Sequence, residues 1–163
     1  MKCYHVLECS TLVSIQQETL LWLDQHQELF ESKEFWNKID YVDFIRNSPS
    51  LIQYINSLGL KLRECAILIG YENGVNRHTD EGPIVAKINI PILNTQDTYT
   101  EWYTESGEQL ARVEINKPVV FNSSIPHQVV MGKSARTPRI MLACMFYKDP
   151  LNYLDWNYFT DML

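Results

Sequence analysis

The stretch IVAKINIPI, residues 84–92, alternates along its length in a way that decides the fold. In an extended chain, successive side chains point to opposite faces of the sheet. One face of this stretch is uniformly apolar and consists of Ile84, Ala86, Ile88, Ile90 and Ile92. The other face carries Val85, Lys87 and Asn89. The stretch therefore predicts a β-strand that turns one face toward a hydrophobic core.

Further strand-like runs stand on both sides of this stretch. They are CAILIGY at 65–71, TYTEWY at 98–103, VVFN at 119–122 and RIMLACMFY at 139–147. Several short strands separated by turn signals are typical of a β-sandwich or a β-barrel. Helical segments do not alternate with these strands, so a doubly wound parallel sheet is not expected.

The chain before residue 60 has mostly helical signals. Ser14, followed by Gln17, begins a segment of good helix formers with the pattern of a capping box. In SPSLIQYINSLG, Ser48 can cap a second helix, Pro49 suits its first position and Gly59 suits its end. The aromatic tail at 149–163 is also expected to be helical, and packing on the sheet is favoured over a lid or a dimer contact.

Composition limits the class of protein. The 163 residues fit one domain with a substantial core. A net charge of −6 argues against a nucleic-acid partner. No apolar run is long enough to span a bilayer. The four cysteines form no regular framework and MKCYHVLECS has no signal-peptide pattern, so we expect free thiols and a cytoplasmic location.

A candidate metal site lies in NRHTDEGP, residues 76–83. His78 and Asp80 stand two residues apart, so in an extended segment their side chains point to the same side. Of the four histidines, His127 in SIPHQVV is the plausible third ligand. Two histidines and one carboxylate on one face of a metal leave other positions open, which suits non-haem Fe(II). The alternative is a turn in which Asp80 caps a backbone amide and His78 hydrogen-bonds to it.

The order of these features resembles the 2-oxoglutarate- and Fe(II)-dependent dioxygenases. YENGVNRHTDEGP and NSSIPHQVVMGKSARTPRIMLACMF are similar to the two metal-binding segments of the prolyl-hydroxylase-like and aspartyl/asparaginyl-hydroxylase-like branches. The run HTDEGPIVAKINIPILNTQDTYTEWY looks like small bacterial and phage members. The resemblance implies a mainly β (α+β) domain with a double-stranded β-helix, a cupin-like jelly roll. In that domain, residues 60–147 form the jelly-roll core, 1–59 give helical support and 148–163 form a C-terminal tail.

The same resemblance implies roles for single residues. His78, Asp80 and His127 would be the catalytic Fe(II) ligands. Arg139 would pair with the distal carboxylate of 2-oxoglutarate, because a guanidinium fork matches a carboxylate. Tyr71 and Asn89 are further candidates for that carboxylate, and a role as satisfied interior polar groups is the alternative for both.

Two features of the second segment depart from the family pattern. Met141 stands where many members have serine or threonine. Arg136 also has a spacing from His127 that is seen in the family, but it falls in the GKSARTP loop, whereas Arg139 opens the apolar strand. Arg139 is therefore preferred.

The implied activity is hydroxylation of an amino-acid, peptide or protein side chain by O2, with succinate and CO2 as co-products. The alternative is a cupin-like metal-binding protein, such as an isomerase, a sensor or a binding module, without oxygenase activity. Such a protein would not need Arg139.

Overall fold

The computed structural model of the protein describes residues 2–71, 74–80 and 86–154, which contain ten β-strands and five helices. The strands are β1 Tyr4–Val6, β2 Trp36–Lys38, β3 Leu62–Gly70, β4 Val75–His78, β5 Ala86–Leu93, β6 Thr98–Tyr103, β7 Gln109–Glu114, β8 Val119–Asn122, β9 His127–Met131 and β10 Arg139–Phe146. The helices are α1 Leu12–Asp24, α2 Glu28–Glu31, α3 Tyr41–Arg46, α4 Pro49–Ser57 and α5 Pro150–Tyr153. The prediction of a mainly β protein with helices near its N-terminus is confirmed.

The strands form two antiparallel sheets. The larger sheet has six strands in the order β1-β8-β5-β10-β3-β2, and the smaller has four in the order β4-β9-β6-β7. Each pairing in both sheets is antiparallel, as expected for a chain without helix–strand alternation. None of the described helices combines the length and apolar character that crossing a membrane would require.

The two faces of strand β5 lie in different surroundings, as its alternation predicts. Its even-numbered residues, Ala86, Ile88, Ile90 and Ile92, are buried in one cluster with side chains of α1 and α4. Full burial of one such large aliphatic side chain contributes about 1.5–3 kcal/mol to folding. The odd-numbered Lys87 and Asn89 face the opposite way, into a cavity between the sheets. Residues 84 and 85 of the predicted strand lie outside the described residues.

The second face of the larger sheet packs against the smaller sheet. Trp102 of β6 is fully buried with its ring 5.1 Å from that of Phe121 in β8. At the other end, Arg139 of β10 donates from Nε to Oγ1 of Thr98 in β6 at 3.0 Å. An aromatic contact and a buried hydrogen bond therefore join the two sheets on either side of the cavity.

The N-terminal part differs from the expectation in two ways. Besides helices, it supplies β1 and β2, the two edge strands of the larger sheet. Each has only three residues, too few for a recognisable alternation. Helix α1 begins at Leu12 after the N-cap Thr11, so the prediction that Ser14 caps it was wrong.

The helix predicted around residues 48–59 is confirmed. Pro49 occupies its first turn, and Gly59 follows its end with a φ of 68°. The described part of the tail forms the short helix α5, and residues 155–163 of the predicted helix lie outside the described residues.

Replacing Gly74 by alanine is expected to destabilise the protein more than replacing Gly107. Both glycines have positive φ, 75° and 92°, and a non-glycine residue in such a conformation costs about 1–3 kcal/mol. A Cβ on Gly74 would also lie 2.0 Å from the backbone oxygen of Val129, whereas a Cβ on Gly107 meets only Arg77 Nη1 at 3.5 Å. Urea unfolding of both variants measures the difference, and equal losses would contradict the close approach of β4 to β9.

Candidate metal centre

The pairing of β4 with β9 brings the two histidines together. His78 ends β4 and His127 begins β9, and the two residues are direct partners in the antiparallel ladder. Their ring centroids lie 4.3 Å apart. Asp80 follows two residues after His78, and its backbone N–H donates to the Ser123 carbonyl at 2.9 Å. One ligand atom from each of the three side chains lies within 4.8 Å of the others.

Both imidazoles are held in the tautomer that suits a metal ligand. Nδ1 of His78 lies 2.7 Å from the carbonyl oxygen of Asn76, and Nδ1 of His127 lies 2.8 Å from that of Ile125. A carbonyl only accepts, so the proton of each neutral ring must be on Nδ1. Each Nε2 therefore keeps its lone pair, and this backbone hydrogen bond is the usual support of a metal-ligating histidine.

Asp80 is positioned by charge. Its Oδ1 faces Nε2 of His78 at 3.6 Å, and its Oδ2 forms an ion pair with Nζ of Lys87 at 2.5 Å. Burial alone would raise the pKa of Asp80, but Lys87, helped by His127 and Ser123, outweighs burial and lowers it. The carboxylate is therefore ionised at neutral pH.

The two histidines differ in their access to solvent. His127 is 3% exposed, and its ring meets the ring of Phe121 edge to face at 4.8 Å. Burial lowers its pKa, so the ring is neutral near pH 7 and can bind a metal. The side chain of His78 is 41% exposed. The centre is thus enclosed on the His127 side and open on the His78 side.

The cavity behind the centre measures about 70 Å³ and also holds Arg139 and Asn89. Arg139 is only 3% exposed, and Thr98 accepts its Nε–H. No carboxylate in the described part of the chain forms an ion pair with Arg139. Burial lowers its pKa to about 10, which leaves the guanidinium charged at neutral pH. Oδ1 of the buried Asn89 has no hydrogen-bond partner among the described residues.

The remaining sequence candidates lie in different places. The Tyr71 hydroxyl donates to the carbonyl of Phe30 at 3.1 Å, and Tyr71 does not line the cavity. Arg136 is exposed in the loop before β10, whereas Met141 is buried and lines the cavity beside Arg139. Of the two arginines, Arg139 is therefore the one that lines the same cavity as His78, Asp80 and His127.

Sequence reasoning assigned no function to Lys87 or Trp36. Lys87 pairs with Asp80, and its ammonium also lies 4.7 Å from the centre of the Trp36 ring. The available signal was the position of Lys87 on the less apolar face of β5. Trp36 had no usable signal, because the contact depends on the three-residue strand β2 pairing with β3.

Replacing His78 by alanine is expected to weaken Fe(II) binding by more than about 100-fold. Removal of an outer-shell partner alone weakens metal binding by up to about 100-fold, and removal of a ligand should weaken it further. Anaerobic competition with a chromogenic chelator measures the affinity. His26→Ala is the matched control, because His26 Nε2 lies 3.7 Å from Asp43 Oδ2 and His26 belongs to no three-ligand group among the described residues. Equal affinities of the two variants would place the metal elsewhere.

Comparison with known proteins identifies no family for this chain. No protein-family model matches the chain. A search of curated proteins finds no significant match either.

Proposed function

We propose that this protein is a non-haem Fe(II)- and 2-oxoglutarate-dependent dioxygenase that hydroxylates an amino-acid, peptide or protein side chain. One observation carries the proposal. A single cavity holds two histidines and a carboxylate that converge on one point, together with a buried arginine that has no carboxylate partner among the described residues. A metal site alone would not need the arginine.

The strand order supports the double-stranded β-helix that we propose for this fold. Eight strands, β3 to β10, alternate between the two sheets, except that β6 and β7 are neighbours in the smaller sheet. The larger sheet contains β8-β5-β10-β3 and the smaller contains β4-β9-β6-β7. Eight strands that are distributed between two antiparallel sheets in this order are typical of a jelly roll.

The three ligands fit Fe(II). Two imidazole nitrogens and one carboxylate oxygen lie within 4.8 Å of one another, and this is the ligand combination typical of non-haem Fe(II) sites. When bound, iron and 2-oxoglutarate supply the oxidising chemistry, in which O2 converts 2-oxoglutarate to succinate and CO2 and a substrate C–H bond is hydroxylated. His78, Asp80 and His127 would hold the metal, with the Nδ1 hydrogen bonds fixing both rings.

Arg139 fits the distal carboxylate of 2-oxoglutarate. A buried guanidinium without a counter-ion is costly, and a carboxylate that accepts two parallel hydrogen bonds relieves that cost. Thr98 occupies only Nε, so the terminal nitrogens of Arg139 are the donors for the ligand. Asn89 on the neighbouring strand β5 can add a donor from its amide to the same ligand.

The surroundings of His78 fit a substrate larger than the cosubstrate. An open groove of about 560 Å³ shares Phe35, Val75 and His78 with the inner cavity. The inner cavity is small, and its Arg139 and His127 end is lined by buried residues, which suits a small dicarboxylate shielded from water. The groove would leave room for the side chain of a peptide or protein to approach the metal from the exposed face of His78.

Anaerobic addition of Fe(II) and then 2-oxoglutarate to the metal-free protein is expected to produce the visible charge-transfer band of a chelated 2-oxo acid. The band requires both keto and carboxylate oxygens on the iron, so it reports the proposed geometry directly. The band should be lost in Asp80→Ala. Folded, iron-loaded protein without the band would contradict the dioxygenase proposal and favour a cupin-like metal-binding protein.

Arg139→Ala is expected to raise the 2-oxoglutarate concentration needed for half-maximal band intensity by at least about tenfold. The loss of a charge-assisted hydrogen-bonded pair, about 1.5–3 kcal/mol, corresponds to that factor or more. Affinity for Fe(II) alone should change little, because Arg139 contacts none of the three ligands. Arg136→Ala, in the exposed loop, is the control and should titrate like the wild type. The reverse result would assign the cosubstrate to Arg136.

A further inference from the structure

The Asp80 carboxylate presents its two oxygens to different partners. Oδ1 lies 3.6 Å from Nε2 of His78, one of the proposed metal ligands. Oδ2 pairs with the Lys87 ammonium at 2.5 Å. The carboxylate is therefore divided between the centre and a neighbouring cation.

Lys87 is fixed in this place from two directions. Its backbone belongs to β5, where Lys87 is the direct partner of Phe121 in β8. Its ammonium lies over the Trp36 ring at 4.7 Å, and the side chain is only 16% exposed. A cation held against an aromatic face and a carboxylate has little freedom to turn to solvent.

The number of oxygens that Asp80 gives to the metal decides how many positions remain open. A carboxylate can bind a cation through one oxygen or through both. With two histidines and one oxygen, an octahedral ion keeps three positions, enough for a chelating 2-oxo acid and for O2. If both oxygens bound, the 2-oxo acid would fill the remaining positions and none would be left for O2.

We propose that Lys87 is a positioning residue that retains Oδ2 of Asp80, so that the metal is bound through Oδ1 alone. This inference rests on the proposed metal centre and deepens it. Lys87 does not touch the metal in this arrangement. It acts through Asp80, as outer-shell partners of metal-bound carboxylates do.

Mn(II) provides a test that does not depend on enzyme activity. The longitudinal relaxation rate of water protons per bound Mn(II) reports how many exchangeable waters the ion holds, and the free Mn(II) signal in electron paramagnetic resonance gives the bound fraction. For Lys87→Met, which removes the ammonium but keeps the apolar stem, the inner-sphere rate per bound ion should fall by about one third as three waters become two. Lys87→Arg retains the cation and should keep the wild-type rate.

The outcomes separate this inference from the function it rests on. A Lys87→Met protein with the wild-type relaxation rate per bound ion would overturn the role of Lys87, while the metal centre would stand. Wild-type protein that does not bind Mn(II), Co(II) or Fe(II) would overturn the centre and with it the proposed function. A merely structural Lys87 would lower the melting temperature without changing the rate per bound ion. If Lys87→Met does not fold, Lys87→Gln carries the same measurement and the same expectation.

Discussion

The register between β4 and β9 is the constraint on which the candidate centre depends. His78 and His127 are opposite each other in this antiparallel pair, which brings both rings to the same side of the smaller sheet. A slip of one residue would turn one histidine to the other face, because side chains alternate along a strand. The irregularity between Val75 and His78 and the close approach of Gly74 to Val129 show that the short strand β4 is held in place by specific backbone contacts.

From that register follows a gradient of burial across the site. Arg139 and His127 are buried between the sheets, whereas His78 is exposed beside an open groove. Charged groups interact more strongly in the enclosed part, where water does not compete. Under the proposed function, the small charged cosubstrate would occupy the interior, and the groove would admit substrates of varied size. The inner cavity would then recognise the cosubstrate strictly, and the adjoining groove would tolerate different substrates.

Those parts of the structure that depend on local pattern could be predicted from the sequence. The alternation of β5, the Pro49 start and Gly59 end of α4, and the shared direction of His78 and Asp80 are all properties of short segments. The strands β1 and β2 could not be predicted, because three residues carry no period and their pairing is fixed by β8 and β3. The capping-box pattern at Ser14 was misleading, because α1 begins at Leu12 after Thr11, whose side chain makes no capping hydrogen bond. Contacts between distant segments, such as that of Tyr71 with Phe30, had no sequence signal.

The cavity lining is positively charged, whereas the whole chain is negatively charged. The protein carries a net charge of −6, yet the described residues that line the cavity include two cations, Lys87 and Arg139, and a single carboxylate, Asp80. Lys87 neutralises Asp80, so Arg139 has no counter-charge among the described residues that line the cavity. A divalent ion on the three proposed ligands would increase that positive charge and would favour binding of an anion that contacts both the metal and Arg139.

A dicarboxylate with a chelating oxo-acid end could make both contacts with one molecule, whereas a neutral ligand would leave the buried guanidinium without a partner. Because the overall charge repels anions at long range, selection of the proposed cosubstrate would depend on contacts made inside the cavity.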